Sequence, residues 1–206
     1  MTRAELLGPP AWTLASAAAA PVAMIGGWTL AAAAQERFDP VRETISALAA
    51  TDATAPWIMT AGLAGTGLAH LVTAAGLRAA RRPGRVLHAV GGLATLAVAA
   101  LPVDVASRAH GVAAGIAFVA LSLWPAFAWR RGERVPVVLR PVVGLAAAVV
   151  LLALLVLFVL ELQGLTPDGG AATGATERWL AGAQALWPLA VVLGLRRTRR
   201  SGPLGA

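Results

Sequence analysis

The chain has no cysteine among its 206 residues, so disulfide frameworks, thiolate metal sites, iron–sulfur clusters and cysteine nucleophiles are all excluded. Charge is scarce too. Only 13% of the residues are Asp, Glu, Lys or Arg, against 58% hydrophobic, a balance too apolar for a water-soluble domain of this length. Lysine is missing altogether. All 17 basic residues are arginine, beside many Ala, Gly and Pro, a bias that GC-rich codons explain, so the choice of Arg over Lys carries no mechanistic information.

What the sequence does contain is a series of apolar runs near 20 residues, the length a hydrocarbon core of about 30 Å requires. They cover about 11–34, 56–77, 86–102, 110–129, 142–162 and 176–195. The expected fold is all-α, a polytopic membrane bundle of six transmembrane helices forming a single membrane domain over residues 1–206. The fifth run, Val142 to Leu162, is nearly pure Leu, Val and Ala up to Glu161 and suits a helix facing lipid on much of its surface. The first run is read as a retained span. The alternative is a signal peptide cleaved after Ala32-Ala33-Ala34, but the apolar part is about twice the usual 7 to 15 residues.

Arginine placement sets the expected orientation. Arg3 and three clusters of four (Arg78, Arg81, Arg82, Arg85; Arg130, Arg131, Arg134, Arg140; Arg196, Arg197, Arg199, Arg200) put 13 on one side, against Arg37, Arg42, Arg108 and Arg178 on the other. The rich side is expected to be cytoplasmic, with both termini there, in the cell membrane. The same placement explains the net charge of +7 without nucleic acid, which is not expected as a partner.

Small residues mark expected close packing. Gly62, Gly65 and Gly67 keep the second span narrow, and Gly111 and Gly115 form a GxxxG on the fourth. The connector between spans one and two is about 21 residues, long for a loop. Asp39-Pro40 reads as an N-cap followed by proline at the first helical position, and Val41, Ile45 and Leu48 then share one face. A short amphipathic helix at the outer interface is expected there, with Arg42, Glu43 and Ser46 on its other face.

These motifs carry a resemblance. Phe38-Asp39-Pro40 leading into Thr44-Ile45-Ser46-Ala47-Leu48, Pro102 and Asp104 ending the third span, His110 opening the fourth and Glu177-Arg178 opening the sixth resemble the bacterial membrane family named domain of unknown function 998. The likeness runs from the first span onward, with Leu101 where an aromatic usually precedes Pro102. It implies a six-helix membrane protein with polar residues near the outer surface, and it brings no reaction, ligand or cofactor.

Polar groups in or beside the spans supply the candidate site residues. His70 lies in the second span with Thr66 and Thr73 on its face, a costly position that marks either a functional group or an imidazole bonded to a neighbouring helix. His88 reads as interfacial. A haem between the two is disfavoured because the rise per residue puts them roughly 6 Å apart in depth. With three histidines and no His-x-x-x-His, no metal site and no cofactor are expected.

At the outer edge Asp104, Arg108, His110, Glu161, Glu177 and Arg178 occur at span ends, where the short turn 103–109 should bring Asp104 and His110 together in a hydrogen bond. Binding candidates are Arg42, Glu43, Arg108, Glu177, Arg178 and His70. The favoured reading is a non-catalytic membrane protein with a binding, transport-like or assembly role. Its partners would be the lipid bilayer, a membrane-protein partner or second copy, and a lipid-like or small-molecule ligand. The alternative is a membrane-embedded hydrolase acting on a lipid or lipid-linked substrate at the outer leaflet. Ser46 would then be nucleophile, His110 base and Asp104 the orienting carboxylate, although no Gly-x-Ser-x-Gly surrounds Ser46.

Overall fold

A computed structural model describes residues 9–132 and 135–200. Arg3 and Arg134, both counted for orientation, lie outside the described residues. The described residues form six long helices: α1 (Ala11–Ala33), α2 (Trp57–Gly76), α3 (Arg82–Ala100), α4 (Ser107–Ala128), α5 (Pro141–Leu162) and α6 (Thr173–Arg200). All six are long and apolar enough to cross a membrane. Among the described residues there is no strand. The protein is therefore a multi-pass membrane protein in contact with the lipid bilayer, because backbone groups in hydrocarbon must be satisfied within each span.

The helices close into a ring. Each packs on its neighbours in sequence, and α6 returns to pack on α1. Close approaches rest on glycine: a Cβ on Gly27 would stand 3.0 Å from the Cα of Gly62, and a Cβ on Gly67 would stand 2.8 Å from the carbonyl oxygen of Gly92. Gly111 and Gly115 are different. A Cβ on either meets nothing within 4 Å, so the GxxxG of α4 faces away from the bundle and packs no helix of this chain. The helix that buries least is α5, whose Val142, Val149, Val150 and Val156 point outward.

One end of the bundle carries the arginines. Arg85 donates from Nε to the Ala74 carbonyl at 2.9 Å and from Nη2 to the Ala75 carbonyl at 3.0 Å, satisfying acceptors that the last turn of α2 leaves open. Arg130 Nε donates to the Ala79 carbonyl in the turn that follows α2, at 2.6 Å, and Arg81 and Arg131 lie over the Trp129 ring.

The other end carries the 34–56 connector. No α-helix forms there. Asp39 Oδ1 accepts from the Val41 and Arg42 amides, Glu43 Oε1 accepts from the Asp39 amide, and after this single capped turn only one 3-10 turn, Ser46–Ala49, follows. The expected amphipathic helix is corrected in that respect: Ile45 and Leu48 are buried, but Val41 is half exposed. The chain instead spends its backbone groups on the helices beneath it, which a continuous helix could not do.

Candidate functional site

The connector is closed on itself by one pair of bonds and fastened over the ring by several more. Gln35 exchanges two hydrogen bonds with the Thr54 backbone, at 2.8 and 3.0 Å. The Ile45 amide donates to Glu177 Oε2 at 2.5 Å. Arg178 Nη1 donates to the carbonyls of Pro40, Glu43 and Gly174 at 2.8–2.9 Å, with its guanidinium over the Phe38 ring. Thr51 donates from its amide and its hydroxyl to the Asp104 carboxylate. These bonds hold Asp104 below the ordinary carboxylate range, the Thr51 hydroxyl contributing most.

That last contact changes the expected role of Asp104. It does not reach His110. Leaving α3 at Leu101 turns the backbone so that the Leu101 carbonyl, at 2.6 Å, takes the Nδ1 proton of His110. Nδ1 thus carries the hydrogen, and Nε2 is left as a lone pair that accepts from the Ser46 hydroxyl at 2.9 Å. Ser46 and His110 meet; Asp104 stands apart, exposed and bonded to Thr51. The expected Asp104–His110 pair is corrected accordingly.

The other candidates divide cleanly. Arg42 is exposed and lies 3.6 Å from Asp39 within the capped turn. Glu43 is exposed and closes that turn. Arg108 is exposed and pairs with none of the described residues. Arg178 acts as a clamp, so Arg42, Glu43 and Arg178 shape the connector, and none of the four lines the pocket.

Glu177 and His70 behave differently, because both face a pocket inside the ring. Its volume is about 40 Å³, and Ser46, Glu177, Gln184, Thr95 and His70 supply its polar groups among Met24, Leu63, Val98, Phe118 and Leu121. That is room for about three waters, or for the head of a ligand rather than its body. From Glu177 to Gln184 the pocket follows α6 for two turns, about 10 Å into the bundle. Gln184 Nε2 is fixed by the Phe118 carbonyl and the Ser122 hydroxyl, both at 2.9 Å.

Below the pocket His70 meets His88. Their rings contact edge to face with Nδ1 of His70 2.9 Å from Nε2 of His88, and His88 stacks on Trp124 at 4.6 Å. The interfacial reading of His88 is overturned, for it is fully buried. Its helix starts at Arg82 rather than Val86, so His88 lies six residues inside α3, while His70 lies six residues before the end of α2 at Gly76. The two imidazoles share a depth. Among the described residues no three His, Asp or Glu side chains converge in a way that could hold a metal ion.

A family model described as a protein of unknown function (DUF998) matches residues 17–194. The chain belongs to that family. The match takes in all of the connector and pocket residues named above, so the site of this DUF998 protein lies wholly within the matched region. No curated protein and no solved structure matches the chain.

Sequence reasoning about this DUF998 chain missed Gln184, Thr95, Ser122 and Trp124 as well as His88. Gln184 had a readable signal. A glutamine within an apolar span is as costly as a histidine there, and it sits at the middle of the sixth run.

Proposed function

We propose that this is a non-catalytic membrane protein whose pocket takes the polar head of a small or lipid-like ligand. In this reading the protein resides in the cell membrane with both termini cytoplasmic, and the Ser46 end of the bundle faces outward. The arginine distribution supports that orientation.

One observation carries the binding reading: a pocket inside the helix ring combines apolar walls with acceptor groups that lack donors. Glu177 uses Oε2 for the Ile45 amide, and its Oε1 has no donor among the described residues; Gln184 Oε1 has none either. No arginine lines the pocket. These free acceptors, with the neighbouring Arg178 turned away to the Pro40 and Glu43 carbonyls, favour a head that donates hydrogen bonds, an ammonium or a hydroxylated group, over an anion. The pocket is suited to an ethanolamine-type head whose tail remains in lipid. Thermal melting of the full chain in detergent tests this with phosphatidylethanolamine and phosphatidylglycerol as probes. Phosphatidylethanolamine should raise the melting temperature, phosphatidylglycerol should not, and Glu177→Gln should remove the difference. An equal response to both lipids in the wild type would sink the reading.

The Ser46–His110 contact supports a second reading, hydrolysis of a lipid ester. His110 Nε2 would take the Ser46 proton as Oγ bonds to the ester carbonyl carbon. The same nitrogen would return the proton to the departing alcohol, and water would then release the acyl group from Ser46. The Leu101 carbonyl would replace the carboxylate in holding the tautomer. A fluorophosphonate probe should then label Ser46, and labelling should vanish in Ser46→Ala and His110→Ala. Unlabelled wild-type protein rules this reading out.

A further inference from the structure

The helices that wall the pocket are joined closely at their sides. Glycines bring α1 onto α2 at Gly27 and Gly62, α2 onto α3 at Gly67 and Gly92, and α3 onto the Leu121 side chain of α4 at Gly91. Gln184 ties α6 to the Phe118 carbonyl and the Ser122 hydroxyl of α4, and a Cβ on Gly182 would stand 3.4 Å from the Trp28 ring of α1. The outer end is built differently. Of the described residues that line the pocket, only Ile45 and Ser46 belong to none of the six long helices.

Those two residues sit at the middle of a loop whose neck is tied. Gln35 and Thr54 exchange their two hydrogen bonds across 19 residues, and Gln35 Nε2 also donates to the Ala31 carbonyl at 3.0 Å, which fixes the neck to the end of α1. Beside the neck Ala55 has a φ of 52°, a left-handed backbone that an alanine adopts only at a cost and that the surrounding structure must hold. Beyond the neck the loop is held by separate latches. Ile45 is bonded to Glu177, Ser46 to His110 and Thr51 to Asp104, Arg178 grips the Pro40 and Glu43 carbonyls, and the Ile45 and Leu48 side chains are buried beneath. A compact loop with its ends together and polar latches at its tip can open locally while the helices stay folded.

We propose that residues 38–51 are a lid, hinged at the Gln35–Thr54 neck, and that lifting it is the way into the pocket. Adjacent residues make the bonds to Glu177 on α6 and His110 on α4, so one movement of the tip releases both and uncovers the pocket from the Ser46 end. An occupant touches Ile45 and Ser46 only while the lid is down, so binding favours the closed state, and an empty pocket opens more readily than a filled one. This regulation rests on the reading of the pocket as a binding site.

The test reads access to the pocket without any ligand, so a failed lipid titration and a failed lid are separate results. The chain has no cysteine of its own, and Ala181→Cys puts a thiol on the pocket wall. In detergent, a small methanethiosulfonate reagent should modify position 181 of the full chain at a rate that follows the open fraction of the lid. Asp104→Ala, which releases Thr51 and lies outside the pocket, should speed that reaction several-fold. The reaction of Ala17→Cys, buried in the core at the other end of the bundle, should keep its rate. A disulfide joining Thr51→Cys to Asp104→Cys should slow the reaction at position 181 at least about tenfold, and reduction should restore it. A rate at position 181 indifferent to both changes, or one that rises together with the rate at position 17, would overturn the proposal. Hydrogen exchange of the wild type is a variant-free check: the Ile45, Leu48 and Thr51 amides should exchange as one group and faster than the interiors of α2 and α6. Exchange of these amides only in step with the helices would overturn the lid.

Discussion

The hydroxyl of Ser46 donates to Nε2 of His110 at 2.9 Å, across 64 residues of sequence, while Nδ1 of the same ring is tied to the Leu101 carbonyl at 2.6 Å. One side chain thus joins the end of α3, the start of α4 and the connector. His110→Ala would leave the Leu101 carbonyl and Ser46 hydroxyl without their partner. The expected loss is about 1–3 kcal/mol, read as a lower melting temperature in detergent together with faster amide exchange over residues 44–51. Unchanged exchange there would mean that the bond does not hold the connector.

Gly174 lies under the connector, where a Cβ would run into the backbone carbonyls of Glu43 and Pro40, which cannot step aside as a flexible side chain would. Gly174→Ala should destabilise by roughly 1–3 kcal/mol and weaken the 2.9 Å bond from the Ala175 amide to the Val41 carbonyl. Gly111→Ala and Gly115→Ala should not lower the melting temperature of the monomeric chain and should raise it slightly, because nothing stands within 4 Å and alanine is the better helix former. A reversed order would contradict the packing described here.

The Thr51 bonds to Asp104 predict a pH dependence. The folded state holds this carboxyl below its ordinary value, so the stabilisation is fully present above the unfolded pKa and is lost as pH falls through the depressed folded one. Amide exchange at Thr51 should accelerate on acidification below the ordinary carboxylate range. Asp104→Asn should show the faster exchange at neutral pH and no further acid step. An acid step that persists in the variant would assign the effect to another group.

Orientation can be read with single cysteines, since the native chain has none. Ser107→Cys and Asp168→Cys are exposed at the connector end and should react with a membrane-impermeant thiol reagent in intact cells. Val137→Cys, exposed at the arginine-rich end, should react only after lysis. Labelling of Val137→Cys in intact cells would invert the proposed orientation.

The sequence alone determined the six spans. Apolar runs of membrane length leave a chain no other way to satisfy its backbone, and Gly62 and Gly67 announced a close approach that the packing of α2 on α1 and α3 uses. It also pointed to Ser46, His110, Glu177 and His70, because polar groups beside or inside hydrocarbon are costly wherever they occur. Partnership was another matter, for a hydrogen bond is fixed by a few tenths of an ångström and sequence gives only approximate depth. A four-residue error in where α3 begins was enough to misplace His88 at the interface, when it lies level with His70. The path of the chain after Leu101 gave His110 a backbone carbonyl in place of Asp104. In the connector, the pull of Ile45, Ser46, Thr51 and Val41 toward partners on α4, α6 and the 101–106 turn outweighed a local helical pattern. Only the closed ring of helices could decide these contacts, since each joins groups distant in sequence whose meeting depends on how all six spans pack.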